Sequence, residues 1–114
     1  MQSDASNRPF DNIEIDYTYS AGGSMAATFE KGLVQYRWLS GPFQGVEERD
    51  LKYQSKRIGD DAFVVNWHDK INFNYVTLFI DLTSKLVHSS ALLCYGTPNE
   101  VTSFDSAVIS GIRR

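Results

Sequence analysis

Ile13-Glu14-Ile15-Asp16-Tyr17-Thr18-Tyr19 alternates apolar and polar side chains with a period of two. That period marks a β-strand with one buried face, here Ile13, Ile15, Tyr17 and Tyr19. Residues 62–68 repeat the pattern, with Phe63, Val65 and Trp67 on one side. Outward from these two runs the chain reads as short strands cut by turn residues. Ala21-Gly22-Gly23-Ser24 is a turn, followed by strands at Met25–Phe29 and Gly32–Leu39. Ser40-Gly41-Pro42-Phe43 breaks the chain again. Gly45–Tyr53 is polar and is expected as an edge strand, and Arg57-Ile58-Gly59-Asp60-Asp61 as a turn. Strands at Asn72–Leu82 and Lys85–Leu93 flank Thr83-Ser84, and Tyr95-Gly96-Thr97-Pro98 closes the set. Glu100–Ile112 stays open between a strand, a short helix, or both.

Short strands at regular spacing, with no long helical period, predict an all-β fold. The expected architecture is a small antiparallel barrel of about eight strands with a short ambiguous C-terminal segment, because closure removes exposed edges. Such a barrel is just wide enough inside for packed side chains or one small ligand. The expected organisation is a flexible N-terminal lead-in over residues 1–10 and a single barrel domain over 11–114.

Composition narrows the function classes. The 114 residues carry eleven Lys and Arg against fourteen Asp and Glu, for a net charge of −3. No basic surface for a nucleic-acid backbone is expected from that balance. No run approaches the roughly 18 apolar residues of a membrane helix, so a cytoplasmic protein without a membrane partner is expected. The single cysteine, Cys94, leaves no intramolecular disulfide framework and no cysteine cage for a metal. Aromatic residues make up 13 % of the chain, with seven Phe, six Tyr and two Trp. Tyr and Trp need partners for their polar atoms when buried, so this content suits a cavity as well as a core.

An ordered set of short motifs runs from Tyr17 to Leu93: Tyr17-Thr18-Tyr19, Tyr36-Arg37 with Ser40-Gly41 after it, Gly45, Trp67-His68-Asp69, and Val87-His88. In order and spacing this set resembles the calycin-like (lipocalin-like) barrels of the phenolic acid decarboxylase and MoaF-like group. The resemblance covers about two thirds of the chain. It implies a barrel with a cavity for a small aromatic or apolar ligand. In the decarboxylases the Tyr-x-Tyr pair holds the substrate, and Tyr17 and Tyr19 match it. Their proton-transfer acid stands two residues after the Trp, where this chain has Asp69. Their arginine, directly after the glycine that matches Gly45, is here Val46. Tyr36, Trp38, Phe63, Trp67, Val46 and His88 are the further candidate lining residues, with the face of His88 left open. The tail after Tyr95 is shorter than in the decarboxylases and is similar to the compact MoaF-like domains.

The side chains set limits on the chemistry. Tyr17 and Tyr19, two apart in one strand, project their hydroxyls to the same side and can hold a phenolate or carboxylate oxygen. Packing as two half-buried aromatics is the alternative. Asp69 lies in phase with Phe63, Val65 and Trp67. Facing inward against apolar walls, its carboxyl would gain a raised pKa and serve as an acid; in an Asp-Lys turn it would be a solvated turn residue. His68 points away from Asp69. Two histidines and one carboxylate match no ligand spacing, so no metal and no cofactor are expected. Arg37 is expected in a structural pairing with Glu47, Glu48 or Asp50.

Three functions remain. The favoured one is a small-molecule-binding barrel. The alternative is a cofactor-free lyase or isomerase on a small phenolic or carbonyl acid, with Asp69 moving the proton and Tyr17 and Tyr19 holding the substrate. The third is an assembly protein whose interior is filled by Phe29, Phe63, Phe79 and Trp67. A homodimer through a sheet face is a possible partner arrangement, as in related barrels.

Overall fold

The computed structural model describes residues 8–114. It contains eight strands in chain order: β1 Ile13–Tyr19, β2 Ser24–Glu30, β3 Leu33–Trp38, β4 Glu47–Gly59, β5 Ala62–Asp69, β6 Asn74–Asp81, β7 Leu86–Leu93 and β8 Val101–Arg113. Each strand pairs antiparallel with the next, and β8 pairs back onto β1, so the sheet closes as a barrel. The small antiparallel barrel of about eight strands expected from the strand spacing is therefore present. Among the described residues no helix is long and apolar enough to cross a membrane.

Alternation decides what faces inward. Ile13, Ile15 and Tyr17 of β1 are buried, while Thr18 is exposed. In β5, Phe63, Val65, Trp67 and Asp69 are all buried and His68 is exposed.

Two elements differ from the sequence reading, and both carry a bulge. The polar run after Gly45 is no edge strand, because closure pairs it on both sides. It belongs to the 13-residue β4, which also absorbs Arg57, Ile58 and Gly59. Within β4 the register slips: Tyr36 opposes Glu48 and Val34 opposes Leu51, so three steps on β4 match two on β3. Asp50 takes up the slip at φ 62°. The bulge puts Glu48 and Leu51 on the same inner face, which strict alternation would not do. The C-terminal segment is a strand throughout. Its period breaks because Tyr17 opposes Ile109 whereas Asp16 opposes Gly111, leaving Ser110 extra. That break is what made 100–112 ambiguous.

The lead-in also ends earlier than expected. Residues 1–7 lie outside the described residues, but Phe10 has no exposed surface at all. Its ring meets Phe29 edge-on at 4.9 Å and Phe63 at 5.1 Å, closing one end of the barrel. Asp11 fastens this plug. Its carboxylate accepts the Gly32 amide at 3.1 Å and the Tyr53 hydroxyl, and it pairs with Arg8 at 2.9 Å. At the other end the β1–β2 and β3–β4 turns touch. A Cβ on Gly41 (φ 91°) would meet Gly23 Cα at 2.7 Å, so this contact admits only glycine.

Candidate functional site

The open end of the barrel holds a cavity of about 480 Å³. That lies within the range of about 300–1,000 Å³ usual for small-molecule sites. Tyr17, Tyr19, Tyr36, Trp38 and Trp67 line it together, as does Val46 at its rim. The sequence reading grouped all six.

The phenols form a connected set. Tyr17 donates its hydroxyl to Met25 Sδ at 3.2 Å. Its ring lies edge-on to Tyr19, with centroids 5.5 Å apart. Burial pushes the Tyr17 phenol well above its ordinary range, and Tyr19 beside it adds to the shift. Burial also raises Tyr19, against the lowering effect of hydrogen bonds with Ser89 and Tyr17. Tyr36 is pushed up to about 12, first by burial and then by the Glu48 and Asp69 carboxylates. At neutral pH all three are protonated, so they act as neutral hydrogen-bonding groups rather than as bases.

Trp67 adds an unfilled donor. It is 3 % exposed, and its Nε1–H has no hydrogen-bond partner. A buried donor left unmade costs on the order of 1–3 kcal/mol, so such groups are rare without a function.

Asp69 is placed differently. It is 2 % exposed and inward in phase with Trp67, yet it is not among the cavity-lining residues. Its Oδ1 accepts the amides of Ile71 and Asn72, each at 3.1 Å, and its Oδ2 accepts Asn72 Nδ2 at 2.8 Å. Both expectations were half right: the side chain is buried, and it serves a turn.

Two lining expectations are corrected. Phe63 is buried at the closed end against Phe10, below the cavity. His88 stands on the outer face, because Val87 and Ser89 take the inward positions of β7. It pairs with Ser106 Oγ at 3.1 Å. The filled-interior alternative is corrected too, since Phe79 is 45 % exposed. Arg37 is exposed; Glu47 instead lies 3.7 Å from Arg49, and Glu48 accepts Asn72 Nδ2 at 3.1 Å.

Several lining residues escaped the sequence reading, notably Glu48, Ser89, Ser103 and Asp105. Ser89 was legible from its phase with Val87. Asp105 shares a face with Ala107 and Ile109, which shows once 101–113 is known to be a strand. The Glu48 position depends on the bulge at Asp50. Asp105 accepts the Ser20 hydroxyl, the Ala21 amide at 3.2 Å and the Ser106 amide at 2.8 Å. The Ser20 bond, followed by the backbone amides, holds its carboxyl below the usual carboxylate range.

Comparison with known proteins gives a fold and no family. No family model matches the chain, and no curated protein matches it. Among solved structures, the crystal structure of a candidate beta-lactamase from Burkholderia vietnamiensis aligns with a TM-score of 0.77. The alignment covers 90 % of this chain and 95 % of that one at 12 % identity. At that identity the likeness shows a shared barrel and nothing about activity.

Proposed function

We propose that this barrel binds one small, largely aromatic or apolar molecule in the cavity at its open end. The observation that carries this reading is a cavity of about 480 Å³ walled by Tyr17, Tyr19, Tyr36, Trp38 and Trp67, whose buried Nε1–H has no partner. A protein using its interior only as a core would fill that space and satisfy that donor. The resemblance of the Tyr17-to-Leu93 motifs to the MoaF-like and phenolic acid decarboxylase barrels supports the same reading.

Two catalytic readings have less support. For a decarboxylase-like lyase, Asp69 would have to release or accept a proton, but three hydrogen bonds commit its oxygens to the 69–72 turn. Val46 stands where the substrate carboxylate would need an arginine. For lactam opening by a serine nucleophile, a reading prompted by the name of the Burkholderia protein, Ser89 and Ser103 line the cavity. No lysine or histidine lines it with them, and the Tyr19 phenol near Ser89 is held protonated by burial.

The test is saturable binding of a neutral, environment-sensitive dye such as Nile red, displaced by small aromatic compounds. Loss of that binding in Trp38→Ala and Tyr36→Ala, with the fold retained, is the expected result. Failure of the dye to enter overturns the reading. Incubation with p-coumarate and ferulate, followed by ultraviolet spectra, is the parallel check on the lyase. Appearance of a vinylphenol band would replace the binding reading with the catalytic one.

A further inference from the structure

A binding cavity alone leaves the ligand's charge open, and the charges around this one specify it, provided the binding reading holds. The cavity lining contains two carboxylates, Glu48 and Asp105, and no lysine, arginine or histidine. They stand on β4 and β8, four strands apart in a ring of eight, and so on opposite walls. Among the described residues neither forms an ion pair. Their hydrogen-bond partners are neutral: Ser20, Ala21 and Ser106 for Asp105, and Asn72 for Glu48.

Between the two carboxylates the walls are aromatic. Trp38 lies 5.9 Å from Tyr19 and 5.6 Å from Phe43, and Tyr36 lies 6.0 Å from Trp67. Aromatic faces carry a negative quadrupole and attract cations. A carboxylate ligand would meet two like charges and these faces with no counter-charge. A cation would be favoured by every one of them. The donors on Asp105 keep it ionised at neutral pH.

We propose that the cavity takes a small aryl amine in its ammonium form, with the cation toward Asp105 and Glu48 and the ring against the aromatic walls. The proposal does not follow from the decarboxylase-like motifs, whose substrates are acids; it follows from the charges this chain places around the cavity.

Tyramine, tyrosol and 4-hydroxyphenylacetate share one phenolic ring and differ in the charge of the side chain. Calorimetric titration of the full chain at neutral pH is expected to rank tyramine first, about tenfold tighter than tyrosol, given the greater strength of charge-assisted contacts. 4-Hydroxyphenylacetate is expected last. Asp105→Asn should lower tyramine affinity about tenfold, to the level of tyrosol. If that variant fails to fold, Glu48→Gln and a salt series carry the test. Raising salt from about 0.01 M to about 1 M shortens the screening length from ~30 Å to ~3 Å and should weaken tyramine far more than tyrosol. Equal binding of tyramine and tyrosol, or a preference for the acid, overturns the amine. If none of the three binds while Nile red still enters, the amine is overturned and the binding cavity stands. If Nile red also fails, both readings fall.

Discussion

Asn72 grips Asp69 at both carboxylate oxygens, through its amide to Oδ1 at 3.1 Å and through Nδ2 to Oδ2 at 2.8 Å. The same Nδ2 reaches Glu48 Oε1 at 3.1 Å. One asparagine therefore ties the β5–β6 turn to the cavity rim. A carboxylate held at three points is a structural acceptor, and its removal should be felt in folding.

Asp69→Ala is expected to destabilise the protein by about 2–3 kcal/mol, since it leaves buried donors unmade. For a domain near this size, that lowers the melting temperature by about 8–24 °C at ~4–8 °C per kcal/mol. Affinity of the folded fraction for a cavity ligand should change little. A calorimetric melt with a parallel titration checks both. Unchanged stability with lost binding would return Asp69 to the site.

Trp67→Phe removes the orphaned donor and keeps an aromatic ring. Stability should stay within about 1 kcal/mol of the parent, because an unpaired buried N–H costs free energy in the folded state and its removal offsets lost packing. The Nε1 atom has no surface open to the cavity, so the affinity of a cavity ligand should change by less than about threefold. Denaturant melts and titrations of both proteins decide this. A loss of about tenfold or more would show that a ligand reaches the donor.

Phe10→Ala opens the closed end. The ring is fully buried against Phe29 and Phe63. Loss of about 3–5 kcal/mol is expected, the range for deleting a core phenylalanine. Urea unfolding measures it, and a cost under about 1 kcal/mol would mean the segment is not part of the core.

Alkali should unfold the barrel before its buried phenols titrate. Tyr36 is pushed up to about 12, and Tyr17 and Tyr53 are also raised, in each case first by burial. A group whose folded pKa exceeds its unfolded value binds more protons in the native state. Its contribution is complete below the ordinary tyrosine value of 10 and is lost as pH climbs toward the folded one. The melting temperature should therefore fall as pH rises above about 10, together with a late rise in tyrosinate absorbance. On the acid side, hydrogen bonds from Ser84 lower Asp81, and the Arg113 bond lowers Glu14. Their contribution is present above the ordinary values of 3.8 and 4.5 and is lost as pH drops through the folded values.

The parts of the fold legible in the sequence are those where a strict two-residue period survives. In β1 and β5 the alternation named Tyr17, Tyr19 and Trp67 as inward. Where a bulge adds one residue the period inverts, and the reading failed there. Glu48 was hidden by the slip at Asp50, and the β8 strand by the extra Ser110. Depth along the barrel axis was also invisible. Phe63 and Trp67 share a face, yet only Trp67 reaches the cavity, because the Phe10 plug occupies the other end. His88 failed for a simpler reason: the face of β7 was left open in the sequence, and Val87 and Ser89 take its inward positions.

The Phe10 plug has a kinetic consequence. Among the described residues the barrel is sealed at one end and has a single doorway, so a molecule that enters past Trp38 and Phe43 must leave the same way. An occupant cannot be pushed out from behind. Exchange must run strictly one after another, with the newcomer waiting for a vacancy. The rate of exchange is then set by the resident molecule's departure alone, however concentrated its competitor.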